Sequence, residues 1–158
     1  MIQKIKRWKK FEQKLRFKAM EESGGANERG IYDELVYLVD AINNFRIKEI
    51  IGEHGYPTHK LLGKQGMKDF WLLVQHQDED LELQQSCLSN CDFASIERAY
   101  LTDRILLAEG KKQIYGTQFT RKNKKLVLRP VRNRKDIDKL RKKAGLETLA
   151  EYTKKMSR

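Results

Sequence analysis

Tyr100-Leu101-Thr102-Asp103-Arg104-Ile105-Leu106-Leu107-Ala108-Glu109-Gly110-Lys111-Lys112-Gln113-Ile114-Tyr115-Gly116-Thr117-Gln118-Phe119 is the stretch on which the fold class turns. Upstream of it, apolar residues recur at three- and four-residue steps, the period of a helix. Within it, β-formers gather on both sides of Glu109-Gly110-Lys111-Lys112. A glycine-containing turn between two such runs reads as a β-hairpin, with strands at Tyr100–Ala108 and Gln113–Phe119. If Gly110 and Lys111 form the loop, Asp103 faces Gln118 and Arg104 faces Thr117 across the ladder. Gly116, with no side chain to pack, marks a bulge or a close approach of backbone or ligand. A third strand, Leu126–Val131, follows a basic turn at Arg121–Lys125. The expected fold is therefore α+β: four or five helices on a small antiparallel sheet of about three strands that includes the hairpin 100–119.

The helices lie on either side of that sheet. Ile5, Trp8, Phe11 and Leu15 form one apolar stripe of a basic helix over residues 1–22, read as docked on the core with its lysines in water in preference to lying on a membrane. Ser23–Gly30 reads as a loop, and Ile31–Ile51 as a second helix with Leu35, Leu38, Val39, Ile42, Phe45, Ile47 and Ile50 on a broad apolar face. Gly63–Val74 is apolar nearly all round and is expected to be a buried central helix; Asp80–Asn90 and Asp136–Tyr152, the latter broken at Gly145, complete the set. These pieces make one domain over 31–152, preceded by the basic helix and followed by a basic tail at 153–158.

Charge is unevenly spread. The net +11 arises from +5 in residues 1–22 and +11 in residues 120–158, against −5 in between. Any affinity for nucleic acid or another polyanion thus belongs to the flanks, with Lys122, Lys124, Lys125, Arg132, Arg134, Lys142 and Lys143 as its carriers. No apolar run reaches the ~18 residues of a membrane span, and lysines and arginines interrupt the first 18 residues. A cytoplasmic protein without a membrane span is expected. Cys87 and Cys91, four apart in a helical stretch, read as reduced core residues rather than a disulfide framework.

His76 ends the buried helix, where a polar site can reach a residue of near-neutral pKa suited to acid–base work. His54 and His59 flank Gly55-Tyr56-Pro57 and make, with His76 and Asp78, only a weak metal hypothesis, so no metal and no cofactor is assigned. Walker A loops, dinucleotide fingerprints, nucleophile elbows and zinc-protease motifs are absent from the sequence.

Gly55-Tyr56-Pro57, Gly63, Leu73-Val74-Gln75-His76 with Asp78, Tyr100-Leu101-Thr102-Asp103-Arg104, Gly110, Gln113, Tyr115-Gly116-Thr117-Gln118, Arg129-Pro130-Val131 and Arg141 through Leu146 recur here in an order that resembles the bacterial family catalogued as domain of unknown function 6624. The similarity spans about residues 31–152. It implies that His76, Asp103, Arg104, Tyr115, Thr117 and Gln118 belong to one constellation. Packing the buried helix on the apolar face of the sheet is expected to bring His76, Asp103 or Arg104, and Gln118 to one polar cavity between the central helix and the hairpin.

Two functional readings follow. In the first, the protein is a hydrolase or group transferase in which His76 is general acid or base, Asp103 orients it or acts as a second carboxylate, and Arg104 helps hold the substrate. Gln75, Gln113, Tyr115, Thr117 and Gln118 would then bind a small polar or nucleotide-like molecule through hydrogen bonds. The second reading is a non-catalytic nucleic-acid or polyanion-binding protein that acts through its basic flanks.

Overall fold

The computed structural model describes residues 1–22, 31–122 and 125–156. The loop expected at Ser23–Gly30 and Lys124 of the basic turn lie outside them. The chain divides into two compact units, Met1–Phe93 and Ala94–Arg158.

The N-terminal unit contains four helices: α1 (Ile2–Glu22), α2 (Ile31–His54), α3 (His59–Gln75) and α4 (Leu81–Asn90). Three pairs fix α1 and α2 as antiparallel neighbours. The Arg46 guanidinium lies 4.6 Å from the Trp8 ring centre, Arg16 Nη2 is 2.6 Å from Asp40 Oδ2, and the Tyr32 amide donates to Glu22 Oε2 at 3.1 Å. α3 begins where the Thr58 hydroxyl accepts from the Leu61 amide, and kinks at Gly63. Beyond the kink, Met67, Phe70, Trp71, Leu73 and Val74 are buried, so this is the central helix its all-round apolar composition demands. The Asp80 carboxylate caps α4 by accepting from the Leu83 amide at 3.0 Å. Cys87 and Cys91 are free and buried on and just after α4, where mutual hydrogen bonding and burial hold the Cys87 thiol protonated.

The C-terminal unit corrects the expected fold class. Tyr100–Ala108 is not a strand but part of helix α5 (Ser95–Ala108). Its buried residues are Glu97, Ala99, Leu101, Asp103 and Ile105, every second position. At 100° per residue, Glu97, Leu101 and Ile105 fall on one side of a helix while Ala99 and Asp103 fall on the other. A helix buried on two opposite sides thus reproduces the alternation of a strand. Gly110 is no hairpin turn either. It ends α5 at φ 73°, with the Lys111 amide donating to Leu106 O at 2.7 Å and the Gly110 amide to Leu107 O at 3.1 Å, the paired bonds of a Schellman motif.

Residues 113–118 form a loop whose one ladder-like contact is an isolated parallel bridge from Gln113 to Val131. The strands come later: β1 (Phe119–Lys122) pairs antiparallel with β2 (Lys125–Leu128), Phe119 opposite Leu128. Of the stretch read as a basic turn, Arg121 and Lys122 belong to β1 and Lys125 to β2, with Lys122 opposite Lys125. Two short helices follow, α6 (Ile137–Lys143) and α7 (Leu149–Met156), with Gly145 between them as the break requires. The Leu149 amide donates to Asp138 Oδ1 at 2.8 Å, and Thr148 and Glu151 cap α7 reciprocally. With seven helices and one two-stranded sheet among the described residues, the protein is essentially all-α, not α+β.

Candidate active site

α1 buries Ile5, Glu12 and Ala19, spaced seven apart on one face. A carboxylate in that row is costly to bury unless donors surround it, and they do. His76 Nδ1 lies 2.6 Å from Glu12 Oε1, Gln13 Nε2 donates to Oε2 at 2.8 Å, and Arg16 Nε pairs with Oε1 one helical turn on. Burial works against the charge, but His76, through hydrogen bond and charge, together with Gln13 and Arg16, outweighs it and holds the carboxyl at about 2.

Arg16 reaches past Glu12 to Asp40 on α2. Burial pushes the Asp40 carboxyl up to about 6; Arg16 opposes the rise, and the negative charges of Glu12 and Asp78 add to it. Asp40 Oδ1 is itself buried without a hydrogen-bond partner among the described residues. Two carboxylates therefore share one guanidinium, and the one with fewer donors keeps a proton to higher pH.

His76 is held from behind. It caps the C-terminus of α3, and two buried glutamines tie down the carbonyls of that last turn: Gln77 Nε2 donates to Leu73 O at 3.0 Å, and Gln84 Nε2 to Gln75 O at 3.2 Å. Asp80, at the far end of the turn, is anchored to α2 by Asn44 at 3.0 Å and Lys48 at 2.6 Å. With Nδ1 on Glu12, Nε2 is 3.4 Å from Gln75 Nε2, so it takes the acceptor role there when the ring is neutral.

In front of His76 opens a cleft of about 540 Å³ between α2 and the 76–80 turn. Asp33, Asp40, Asp78, Glu79 and Asp80 line it together with His76, so it is strongly acidic. Of the residues expected at the site, His76 lines this cleft, but Asp103, its expected partner, does not. In the structure the carboxylate partner of His76 is Glu12.

The remaining residues of the expected constellation lie in the C-terminal unit. The fully buried Asp103 carboxylate accepts from the amides of Ile114, Tyr115 and Thr117 at 2.7–2.9 Å and from the Thr117 hydroxyl at 2.9 Å. Gln113, also fully buried, donates to Gln118 O and Arg129 O and accepts from the Gln118 amide. Gln118 Nε2 donates to Thr117 Oγ1. The buried Arg141 holds the other side of the loop, donating to Tyr115 O at 2.7 Å, and Tyr152 donates to Thr117 O. Gly116 is where backbone approaches closely: at φ 67°, a Cβ there would meet Ile137 and Leu149 at 3.0 Å. The pairing expected between facing strands is replaced by a loop wrapped around one carboxylate, an anion-binding nest filled by the chain itself. Arg104 is half-buried on α5.

The three histidines are engaged separately. His54 pairs with Glu53, and His59 with Asp92 through both ring and amide. Among the described residues no three His, Cys, Asp or Glu side chains converge as a metal site, so the weak metal hypothesis on His54, His59, His76 and Asp78 has no geometric support. On the flanks, Lys122, Arg132, Arg134, Lys142 and Lys143 are exposed, whereas the side chain of Lys125 is not described.

Glu12, Arg16 and Asp40 are the residues missed in the sequence. No curated protein and no solved structure matches the chain. The family model that does match covers residues 3–157 and so takes in α1, with Glu12 and Arg16, which lies ahead of the 31–152 similarity; on that coverage the chain belongs to the family of unknown function DUF6624.

Proposed function

We propose that this protein is a general acid–base enzyme, a hydrolase or group transferase, whose centre is the His76–Glu12 pair at the rim of the acidic cleft. The observation that carries this reading is the 2.6 Å contact between His76 Nδ1 and a fully buried carboxylate, on a ring that also lines a cleft large enough for a small ligand. Glu12 fixes the ring's tautomer and orientation and stabilises the imidazolium formed when Nε2 takes a proton from water or a substrate hydroxyl. Asp40, still partly protonated near pH 6, is the matching acid and returns a proton to the leaving group. Arg16 couples the two: with both carboxylates ionised the group carries one excess negative charge, which a proton on His76 or Asp40 cancels.

The carboxylates around the cleft favour a hydroxyl-rich or amine-bearing substrate over a phosphorylated one, because a phosphate would face Asp33, Asp78 and Glu79 at close range. In this reading Asp103, Gln113, Thr117 and Gln118 are scaffolding, since Asp103 and Gln113 hold the chain's own backbone and the Thr117 and Gln118 side chains bond within the same network. The test is a turnover screen with chromogenic glycosides, esters and amides of small polar compounds. A genuine activity falls about 100-fold or more in His76→Ala and in Asp40→Asn, the range of general acid–base contributions. Activity that survives both substitutions sinks the proposal.

A further inference from the structure

α2 carries a second apolar face that is exposed among the described residues. Ile31, Leu35, Leu38, Ile42 and Phe45 recur at steps of four and three, about a third of a turn round the helix from the buried Val39, Asn43 and Ile47. All five are exposed, Ile31 and Phe45 at 68% and Leu38 at 55%. The stripe runs about 21 Å along the helix and exposes on the order of 500 Å² of apolar side chain, at the upper end of what a monomer normally leaves in water.

The edge of this stripe says what covers it. Trp8 of α1 lines a groove of about 480 Å³ with Ile42 and Phe45, so α1 borders the stripe. On α1, one turn either way from Trp8, Lys4 and Phe11 are exposed, and Arg7, Lys10 and Lys14 continue the outward face. Glu34 and Glu49 are the exposed acids of α2 beside the strip, but along its α1 side the rim is cationic and aromatic, which matches a layer that is apolar inside and anionic outside. A second copy of the chain, set face to face on the same stripe, would bring the like-charged α1 rims toward each other.

We propose that the α1–α2 hairpin docks on an anionic lipid surface, lying in the headgroup layer with the α2 stripe and Phe11 immersed and the α1 lysines on the phosphates. It lies on the bilayer and does not span it: no helix among the described residues is long and apolar enough to cross a membrane. The inference is independent of the chemistry assigned to the cleft.

Flotation of the full chain with vesicles tests it. The protein is expected to float with phosphatidylcholine vesicles containing about one third phosphatidylserine, not with phosphatidylcholine alone, and to be released by salt. Leu38→Ser with Phe45→Ser removes binding without loss of helical circular dichroism, as both side chains are exposed. Lys4→Gln with Lys14→Gln lowers partitioning roughly 30-fold, about fivefold per cation. Independently of any variant, brominated lipid quenches Trp8 fluorescence. The proposal is overturned if the wild-type chain stays unbound in low salt, or if the serine variant binds undiminished. A lipid-free dimer that the serine variant dissociates would overturn it too, by assigning the stripe to a second copy.

Discussion

Glu12 is the only acid in the first twenty residues, among eight lysines and arginines, and the only charged residue of α1 that is fully buried. Its state is set by a balance that one substitution should tip. Burial opposes ionisation, and the hydrogen bond and charge of His76 lead the groups that overcome it. In His76→Ala the burial stays and the principal donor goes. The midpoint of the Glu12 carboxyl, followed by carbon-13 NMR, is therefore expected to climb from about 2 by roughly 1–2 units. An unchanged midpoint would show that His76 does not support this carboxylate, and the orienting role would fall with it. The sequence held a signal for this residue. Glu12 sits seven residues after Ile5 and three before Leu15, on the apolar side of a helix whose other charges face outward. Asp40 is similar, the single acid between Glu34 and Glu49. What a single sequence could not supply was the partner: histidine pairs with whichever carboxylate the packing of α1 on α3 brings to it, and a contact between positions 12 and 76 leaves no local trace.

At the scale of elements, α5 and the loop after it separate what local pattern can and cannot reveal. Gly110 and Gly116 both have positive φ, but a Cβ on Gly110 meets nothing within 4 Å, whereas one on Gly116 meets Ile137 and Leu149 at 3.0 Å. Gly110→Ala should thus cost only the left-handed backbone term, about 1 kcal/mol. Gly116→Ala adds overlap with two apolar side chains and should cost about 2–4 kcal/mol in urea unfolding. Equal costs at the two positions would contradict the close packing of the loop on α6 and α7. α2 and α3 were legible as helices because helical periodicity dominates them, but of the broad apolar face expected on α2 only Val39, Ile47 and Ile50 are buried, while Leu35, Leu38, Ile42 and Phe45 are exposed. α5 was not legible as a helix, because two-sided burial turns a 3.6-residue period into an apparent period of two, and its glycine stop looks like a hairpin turn. The dense polarity of the loop was legible, but its object was not: Asp103 reads as available for chemistry until the amides of Ile114, Tyr115 and Thr117 are seen to occupy it.

For the whole molecule, the two carboxylates that share Arg16 should leave opposite marks on stability as pH changes. Glu12 has a depressed folded pKa, about 2 against an ordinary 4.5. The stability it contributes is present above pH 4.5 and is lost as pH falls toward 2, on the order of 3 kcal/mol. Asp40 has a raised folded pKa, about 6 against 3.8. Its contribution favours folding below pH 3.8 and is lost as pH rises through 6, because the ionised form must then sit half-buried beside the charges of Glu12 and Asp78. Stability from this group is accordingly highest near pH 4–5, where Glu12 is ionised and Asp40 still holds its proton. The background charge of +11 pulls the same way on the acid side, since protonating further carboxylates raises the self-repulsion of the fold. Urea unfolding from pH 3 to 8 isolates each effect by difference. Against wild type, Glu12→Gln should flatten the acid limb, and Asp40→Asn should remove the decline between pH 4 and 6 while leaving the acid limb in place. If the wild-type and Asp40→Asn profiles stay parallel from pH 4 to 6, then Asp40 titrates with the surface carboxylates. It could not then serve as the acid of the cleft, and the shared guanidinium would have only a structural part.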